Sequence, residues 1–108
     1  MKKYKINAED IKDLIPDEST CFATDHITVD GMKIGFMYRE KPENRKDSGW
    51  RFFSGTETEE YIDDINNTEV HDLNTIANYD PAIIPHLRAL YGTEFERGEG
   101  DEFIEEED

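Results

Sequence analysis

The stretch from Asp47 to Glu57 constrains the fold more than any other part of this chain, because it holds the only tryptophan and two of the six phenylalanines. Trp50 and Phe52 alternate with Arg51 and Phe53, so an extended strand would carry a large ring on each face. Rings on both faces are typical of a strand inside a sheet that is covered at least partly on both sides. We therefore expect a central strand whose tryptophan packs in the core.

A second part of the sheet is predicted around Asp30 and Gly31. An Asp-Gly pair between two alternating segments is a strong signal for a two-residue β-hairpin. Pairing outward from this turn places Asp25 opposite Phe36 and puts Tyr38 on the same apolar core face. Asp25 is then either a carboxylate on the core face, bonded to a neighbouring loop or helix N-terminus, or the sign of a bulge that turns it outward.

Cap signals predict one helix near the N-terminus and another after the central strand. The first begins at Asn7 and is stopped by Pro16. The second begins with a capping box of Thr56 and Glu59 and runs to about Asn66. The apolar residues that these two helices would bury are Ile11, Leu14, Ile15, Tyr61, Ile62 and Ile65.

The second half of the chain predicts a short strand at 69–72 and a short helix at 73–79. Asp80 and Pro81 have the form of a helix cap followed by the first helical residue. Pro85 lies too deep for an undisturbed helix that starts there, so either the helix kinks or a turn precedes a further helix.

These patterns predict an α+β fold, in which an antiparallel sheet of about four strands is built around a β-hairpin and covered by helices. Residues 1–97 are expected to form a single domain, and residues 98–108 an acidic C-terminal tail that is mobile in isolation. Cys21 has no second cysteine to pair with, so we expect a buried thiol.

The charge of the chain narrows its expected partners. Acidic residues outnumber basic ones by 27 to 12, which gives a formal net charge of -15. This field repels phosphates and anionic lipids, so it disfavours nucleic acid and membranes and favours a basic protein partner. The sequence has neither the apolar run of a signal peptide nor the roughly 20 apolar residues of a membrane helix, so we expect a cytoplasmic protein.

No group of residues has the spacing that catalysis or metal binding requires. His26, His71 and His86 lie on three different predicted elements, and Ser54 lacks a surrounding Gly-x-Ser-x-Gly motif. We therefore predict no catalytic residue, no metal and no cofactor. The candidate binding residues, each of which also has a structural interpretation as a core, capping or turn residue, are Asp25, Trp50, Ser54, Glu57, Asn74, Asn78 and Asp80.

Four segments taken together resemble a known family. They are Cys21 to Gly31, Gly35 to Glu40, Asp47 to Glu57 and Leu73 to Pro81. In this combination the chain resembles the bacterial DUF2185 family, also described as the Imm33 family of predicted immunity proteins, over about residues 18–97. The resemblance implies a small intracellular α+β protein that neutralises a cognate toxin of a polymorphic toxin system, and it brings no catalytic residues.

Three hypotheses of different classes follow. The leading one is a non-enzymatic acidic protein that blocks a toxin, with a basic nuclease as the kind of target that the charge suits. The alternative is a housekeeping module that binds a small ligand or a regulatory protein. An enzyme is the third, which the absence of a nucleophile–base or metal pattern disfavours.

Overall fold

The structure, a computed structural model, describes residues 2–106. Met1 lies outside the described residues, as do Glu107 and Asp108 at the end of the predicted acidic tail. The strands are Thr20–Thr24 (β1), Phe36–Arg39 (β2), Asp47–Phe53 (β3), Thr68–Asp72 (β4), Glu94–Arg97 (β5) and Phe103–Glu106 (β6). The α-helices are Asp25–Thr28 (α1), Glu59–Asp63 (α2) and Leu73–Tyr79 (α3). Short 3-10 helices span Ala8–Asp10, Ile65–Asn67 and Pro81–His86.

Within the described residues, six strands form one mixed sheet in the order β4-β1-β3-β2-β5-β6. β1 and β3 are parallel, and every other neighbouring pair is antiparallel. The α+β class is thereby confirmed, while the expected sheet of about four antiparallel strands is corrected to a mixed sheet of six. The parallel pair follows from the path of the chain. After β1 the chain passes through α1 and forms β2 two strand positions away, and it then returns to place β3 between β1 and β2.

The predicted hairpin around Asp30 and Gly31 is wrong. Residues Asp25–Thr28 form the single turn of α1, and the amides of Asp30 and Gly31 donate to the carbonyls of Asp25 at 3.0 Å and Ile27 at 3.1 Å. Gly31 has a φ of 75°, the left-handed conformation with which many helices end. The Asp-Gly pair therefore terminates a helix, and Asp25 begins that helix instead of facing the core from a strand.

The predicted N-terminal helix is also wrong, because only Ala8–Asp10 form a 3-10 turn. The backbone amides of Lys12 and Leu14 bond to side chains of α3 and not to carbonyls one helical turn back. Leu14, expected in the buried stripe, is 41% exposed. Side chains of α3 therefore accept hydrogen bonds from backbone amides that would donate to carbonyls of the same segment in a helix.

The second predicted helix is shorter than expected and buries less. α2 begins after Thr58, whose hydroxyl accepts from the Tyr61 amide at 3.1 Å, so the capping box of Thr56 and Glu59 is wrong. The hydroxyl of Thr56 is used elsewhere, in a bond to Ser54 at 2.8 Å. Ile65, expected to be buried, is 85% exposed.

Several predictions around the core are confirmed. Trp50 lies in the central strand β3 and is fully buried. β4 and α3 occur where the sequence placed them, and Asp80 caps the following 3-10 helix by accepting from the Ala82 amide at 3.3 Å. Pro85 lies within that 3-10 helix, so neither a kinked α-helix nor a new helix after Pro85 is present.

The residues predicted to form an acidic tail include β6, which pairs with β5 at the edge of the sheet. Phe103 of β6 is buried in the core cluster. An ordered strand therefore stands where mobility was expected, whereas the division of the chain at residue 97 stays a prediction.

The core lies on one face of the sheet. Its sheet members alternate along their strands and are Cys21, Ala23, Met37, Trp50, Phe52, Phe95 and Phe103. The helical residues packed against them are Ile27, Leu73, Ile76, Ala77 and Ile83. Cys21 is a buried free thiol, as predicted. Because β2 places Met37 in this core, Phe36 and Tyr38 point to the opposite face, contrary to the prediction from the hairpin.

Among residues 2–106, no helix has the length and apolar character needed to cross a membrane.

Candidate functional site

The sheet face opposite the core is only partly covered, and three of its aromatic rings form the centre of the candidate site. Phe36 lies opposite Phe53, and Tyr38 lies opposite Arg51. The rings of Phe36, Tyr38 and Phe53, which we call the aromatic trio, have centroids 5.9–6.0 Å apart. All three stay half-buried. We call this side of the sheet, which also carries Phe22 and Arg51, the open face.

A groove of about 360 Å³ lies beside the aromatic trio. Its other walls are Gly35, Gly55, Glu57, Ile62 and Glu96. Ile62 comes from α2 and is 45% exposed, so this helix borders the open face without covering it. A Cβ atom at Gly35 would lie 2.2 Å from the carbonyl oxygen of Ser54, so the groove floor requires glycine at this close approach.

The turn that borders the groove is held by the Glu57 carboxylate. Because β1 and β3 are parallel, their carboxyl ends bring Thr24 and Ser54 to the same edge of the sheet. Glu57 accepts from the Thr24 hydroxyl at 2.6 Å and from the backbone amides of Ser54 at 2.7 Å and Gly55 at 2.9 Å. Its side chain is only 2% exposed. The groove therefore has a fixed edge before any partner arrives.

The same contacts set the ionisation of Glu57. Burial by itself favours the neutral acid, but hydrogen bonds from Thr24, Ser54 and Gly55 outweigh it and lower the pKa of the carboxyl. A folded-state pKa below the unfolded value of about 4.3 means that ionised Glu57 stabilises the fold above that pH. This stabilisation is lost as the pH falls through the lowered pKa.

Replacing Glu57 with glutamine is expected to lower the free energy of unfolding by about 1–3 kcal/mol at pH 7, because buried donors lose a charged acceptor. The difference from wild type should shrink below about pH 4, where the wild-type carboxyl also becomes protonated. Urea unfolding at pH 7 and pH 3 measures both effects. Glu99→Gln, at an exposed loop position, is the control and should change stability by less than about 0.5 kcal/mol. Wild-type stability of Glu57→Gln at pH 7 would contradict the anchoring role.

His26 completes this edge of the site. Its Nδ1 atom lies 3.1 Å from the Ser54 hydroxyl, 3.2 Å from that of Thr56 and 3.6 Å from the Glu57 carboxylate. The imidazole ring packs on Tyr61 with centroids 4.1 Å apart. In a serine–histidine–acid triad the hydroxyl and the carboxylate bind opposite ring nitrogens. Here both face Nδ1, so this group orders a turn and lacks the triad's relay through two ring nitrogens.

A buried ion pair supports the open face from one side. The Arg51 guanidinium donates to the two Asp47 carboxylate oxygens at 2.9 and 2.8 Å and to Glu40 at 2.6 Å. It also lies 4.4 Å from the centroid of the Phe22 ring. Phe22 is thereby fixed in the row of the sheet that runs through Arg51 to Tyr38 of the aromatic trio.

Three carboxylates lie on the open face along β5 and β6. Glu96 pairs with Phe36, Glu94 pairs with Tyr38, and Glu106 pairs with Glu94, so all three project on the same side. We call Glu94, Glu96 and Glu106 the carboxylate rim. A hydrogen bond with Glu96 raises the pKa of Glu106, and the charges of Glu96 and Glu94 act in the same direction. The rim therefore concentrates negative charge beside the aromatic trio.

Of the residues predicted from the sequence, Ser54 and Glu57 lie together at the groove edge. Asp25 lies nearby at the start of α1, where it forms an ion pair with Lys2 at 3.0 Å. Trp50 lies on the other side of the sheet, and its indole Nε1 donates to the Leu87 carbonyl at 3.1 Å.

The remaining candidates support other parts of the fold. The Asn74 side chain accepts from the Leu14 amide at 2.8 Å and donates to the Lys12 carbonyl at 2.8 Å. Asn78 bonds to the amide and the carbonyl of Lys12 at 3.0 and 2.9 Å. Asp80 accepts from the Ile34 amide and forms an ion pair with Arg97. Binding by any of the seven predicted residues stays a prediction. Of the seven, Glu57 lines the groove, and Ser54 lies beside it through the bond from its amide to Glu57.

Sequence reasoning missed the aromatic trio and the carboxylate rim as site residues. The alternation Phe36-Met37-Tyr38 was a usable signal, because it places two rings on one face and a flexible apolar side chain on the other. The alternation Glu94-Phe95-Glu96 has the same form and predicts a strand with one acidic face. Among residues 2–106, no three His, Cys, Asp or Glu side chains converge as a metal site.

Comparison with known proteins gives one result. A family model described as the Immunity protein Imm33 domain matches residues 21–107. This match runs through β6, ten residues beyond the end of the predicted resemblance. No curated protein and no solved structure matches the chain significantly.

Proposed function

Since the chain belongs to the Imm33 family of immunity proteins, we propose that it binds a cognate bacterial toxin directly and thereby neutralises it. The observation that carries this proposal is the family match, which spans residues 21–107 and includes all six strands except Thr20, the first residue of β1. The protein acts as a stoichiometric blocker in the cytoplasm of the cell that would otherwise be poisoned.

The proposed partner is a basic protein. A formal net charge of -15 accelerates encounter with a positively charged surface and repels other acidic proteins. A nuclease suits this description, because an enzyme that binds nucleic acid needs cationic side chains for the phosphates. An acidic inhibitor can occupy such a surface in place of the substrate.

The proposed mechanism is non-enzymatic. The arrangement of His26, Ser54 and Glu57 supports this, since hydroxyl and carboxylate approach the same ring nitrogen and no proton relay runs through the ring. Protection of the cell should therefore require about one copy of this protein for each copy of the toxin.

The test is co-expression with the product of the neighbouring toxin gene. We expect cells that produce this toxin to survive when this protein is made at equal or higher level, and the two proteins to co-purify as a stable complex. An otherwise identical strain that expresses an unrelated folded protein of similar acidity from the same promoter should die. Death of cells that contain both proteins at matched levels would contradict the proposal.

A small-ligand module is the second candidate, and the groove beside the aromatic trio is the observation that favours it. Its volume of about 360 Å³ falls at the lower end of the range for ligand pockets. In that case a metabolite mixture should raise the melting temperature of the isolated protein, and substitution of Tyr38 should remove the increase. A toxin complex that forms equally well with and without these metabolites would favour the immunity function.

A further inference from the structure

We propose that the open face is the surface that binds the toxin, and that it receives an arginine side chain of a basic segment between the aromatic trio and the carboxylate rim. This inference rests on the proposed function for the identity of the partner, whereas the chemistry of the site follows from its own residues. The occupant is a guanidinium group presented by a protein.

The aromatic trio offers ring faces of the kind on which a cation stacks. Tyr38 and Phe53 lie nearly parallel, with an interplanar angle of 18°, and stay half-buried. The groove next to them has room for a guanidinium group. A cation held over an aromatic face is attracted by the negative potential of the ring, and arginine makes this contact more often than lysine.

The protein already makes this contact with its own arginines. The Arg51 guanidinium lies 4.4 Å from the Phe22 ring centroid on the same open face. Arg97 lies 4.6 Å from the Phe103 ring on the other side of the sheet. The row that contains Phe22 and Arg51 continues directly into Tyr38, so an incoming arginine would extend an arrangement that the fold has built.

The carboxylate rim supplies the charge that such a partner needs. Within residues 2–106, Glu94, Glu96 and Glu106 form no salt bridge, whereas Glu40 at the opposite border is paired with Arg51. Glu96 lines the groove itself and is exposed. A guanidinium beside Glu96 would relieve the repulsion among the three carboxylates and form a charge-assisted hydrogen bond.

The negative charge of the carboxylate rim also disfavours other macromolecules as occupants of the open face. Nucleic acid and anionic lipid would place phosphates against the rim, and a second copy of this chain would place another acidic rim there. The core side of the sheet is occupied by α1, α3 and the last 3-10 helix. A basic protein segment is therefore the occupant that matches both the rings and the charge.

The first experiment uses NMR of the ¹⁵N-labelled protein with the peptide acetyl-Gly-Arg-Gly-amide and its citrulline counterpart. We expect the arginine peptide to shift amides near the groove, at 36–38, 53–57 and 94–96, and to bind about threefold tighter than the uncharged citrulline peptide, the factor of an exposed cation–π contact. Shifts of equal size for both peptides, or shifts spread over acidic residues elsewhere, would overturn the proposal.

Two charge variants make the test specific. The rim variant is E94Q/E96Q/E106Q, which should lose the localised shifts. The control variant is E9Q/D10N/D13N, which removes the same charge from exposed positions of the N-terminal segment and should keep them. Equal loss in both variants would show that net charge alone, and not this site, attracts the peptide.

Cell protection separates failure of this inference from failure of the proposed function. If wild type protects against the neighbouring toxin, the control variant should protect equally and the rim variant should need about tenfold more protein. Equal protection by both variants would overturn the assigned surface and leave the immunity function standing. If wild type itself gives no protection, the immunity function fails, and the peptide experiment still decides whether the open face binds arginine.

Discussion

Replacing Trp50 with alanine is expected to lower the free energy of unfolding by about 3–5 kcal/mol, the usual cost of deleting a buried large aromatic side chain. Trp50 is fully buried in the central strand, and its ring stacks on Phe52 and Phe95 with centroids 6.0 and 6.2 Å away. The deletion removes these contacts and leaves a cavity between the sheet and the last 3-10 helix. For a domain whose whole stability is of order 5–15 kcal/mol, a large part of the fold's stability would be lost.

Urea unfolding followed by circular dichroism measures this effect. Trp50→Phe is the matched control, because it keeps a ring but loses the indole hydrogen bond to Leu87, and should cost clearly less than the alanine change. If Trp50→Ala were already unfolded without urea, the phenylalanine variant would still report the trend. A loss below about 1 kcal/mol for Trp50→Ala would contradict its place at the centre of the core.

Replacing Asp47 with alanine is the second large expected effect. It leaves the buried Arg51 guanidinium without its bidentate partner, and breaking a buried ion pair in this way typically costs 3–5 kcal/mol. Glu40 still accepts from Arg51 at 2.6 Å, so we expect about 3 kcal/mol, the lower end of this range. The change also removes the acceptor of the Gly49 amide, which lies 2.9 Å from Asp47.

The loss of folding stability at acid pH tests the Asp47–Arg51 pair independently. Hydrogen bonds from Arg51 and from the amides of Glu43 and Gly49 hold the pKa of Asp47 well below its ordinary value. Ionised Asp47 thus stabilises the fold above the unfolded pKa of about 3.9, and this contribution is lost as the pH falls below it. Between pH 5 and pH 2, wild type should therefore lose more stability than Asp47→Ala.

A double-mutant cycle separates the ion pair from the packing around it. Asp47→Ala/Arg51→Met removes both charges, so its cost should be about 1–3 kcal/mol less than the sum of the two single changes. An additive result would mean that Asp47 and Arg51 stabilise the fold independently, which would contradict the account of their coupling.

The parts of the fold that were predictable from sequence carry strong local signals. The ring-rich segment around Trp50 forms a central strand because its aromatic side chains are covered only inside a sheet. The helix α3 and the Asp80 cap follow their local sequence patterns. The Asp30-Gly31 pair led to the wrong prediction of a hairpin because a left-handed glycine occurs in two different structures. A hairpin turn and a helix C-terminus both require this conformation, and only tertiary pairing decides between them.

Long-range contacts explain the other errors. The N-terminal segment has helix signals, but its backbone amides donate to the side-chain oxygens of Asn74 and Asn78, which lie about 60 residues further along the chain. The parallel pairing of β1 with β3 has no local signature either, because β2 and α1 lie between them in the chain.

The candidate site illustrates the same limit. The alternation around Phe36 and Tyr38 correctly put both rings on one face of a strand. Which face the helices cover depends on where α1 and α3 pack, and the sequence pattern of β2 alone does not contain that information. Ser54 and Glu57 were among the residues predicted from the sequence; Glu57 lines the groove, and the Ser54 amide bonds to its carboxylate.

Toxin binding by the open face is tested most directly by the dissociation constant of the complex with the neighbouring toxin, measured by isothermal titration calorimetry for wild type and the two charge variants. We expect the rim variant to bind about tenfold or more weakly, a loss of at least about 1.4 kcal/mol, because the charges that it removes lie at the interface. The control variant, with the same net charge, should stay within about twofold of wild type, since exposed charges far from the interface are screened. Equal dissociation constants for the rim and control variants would contradict the claim that the open face binds the toxin.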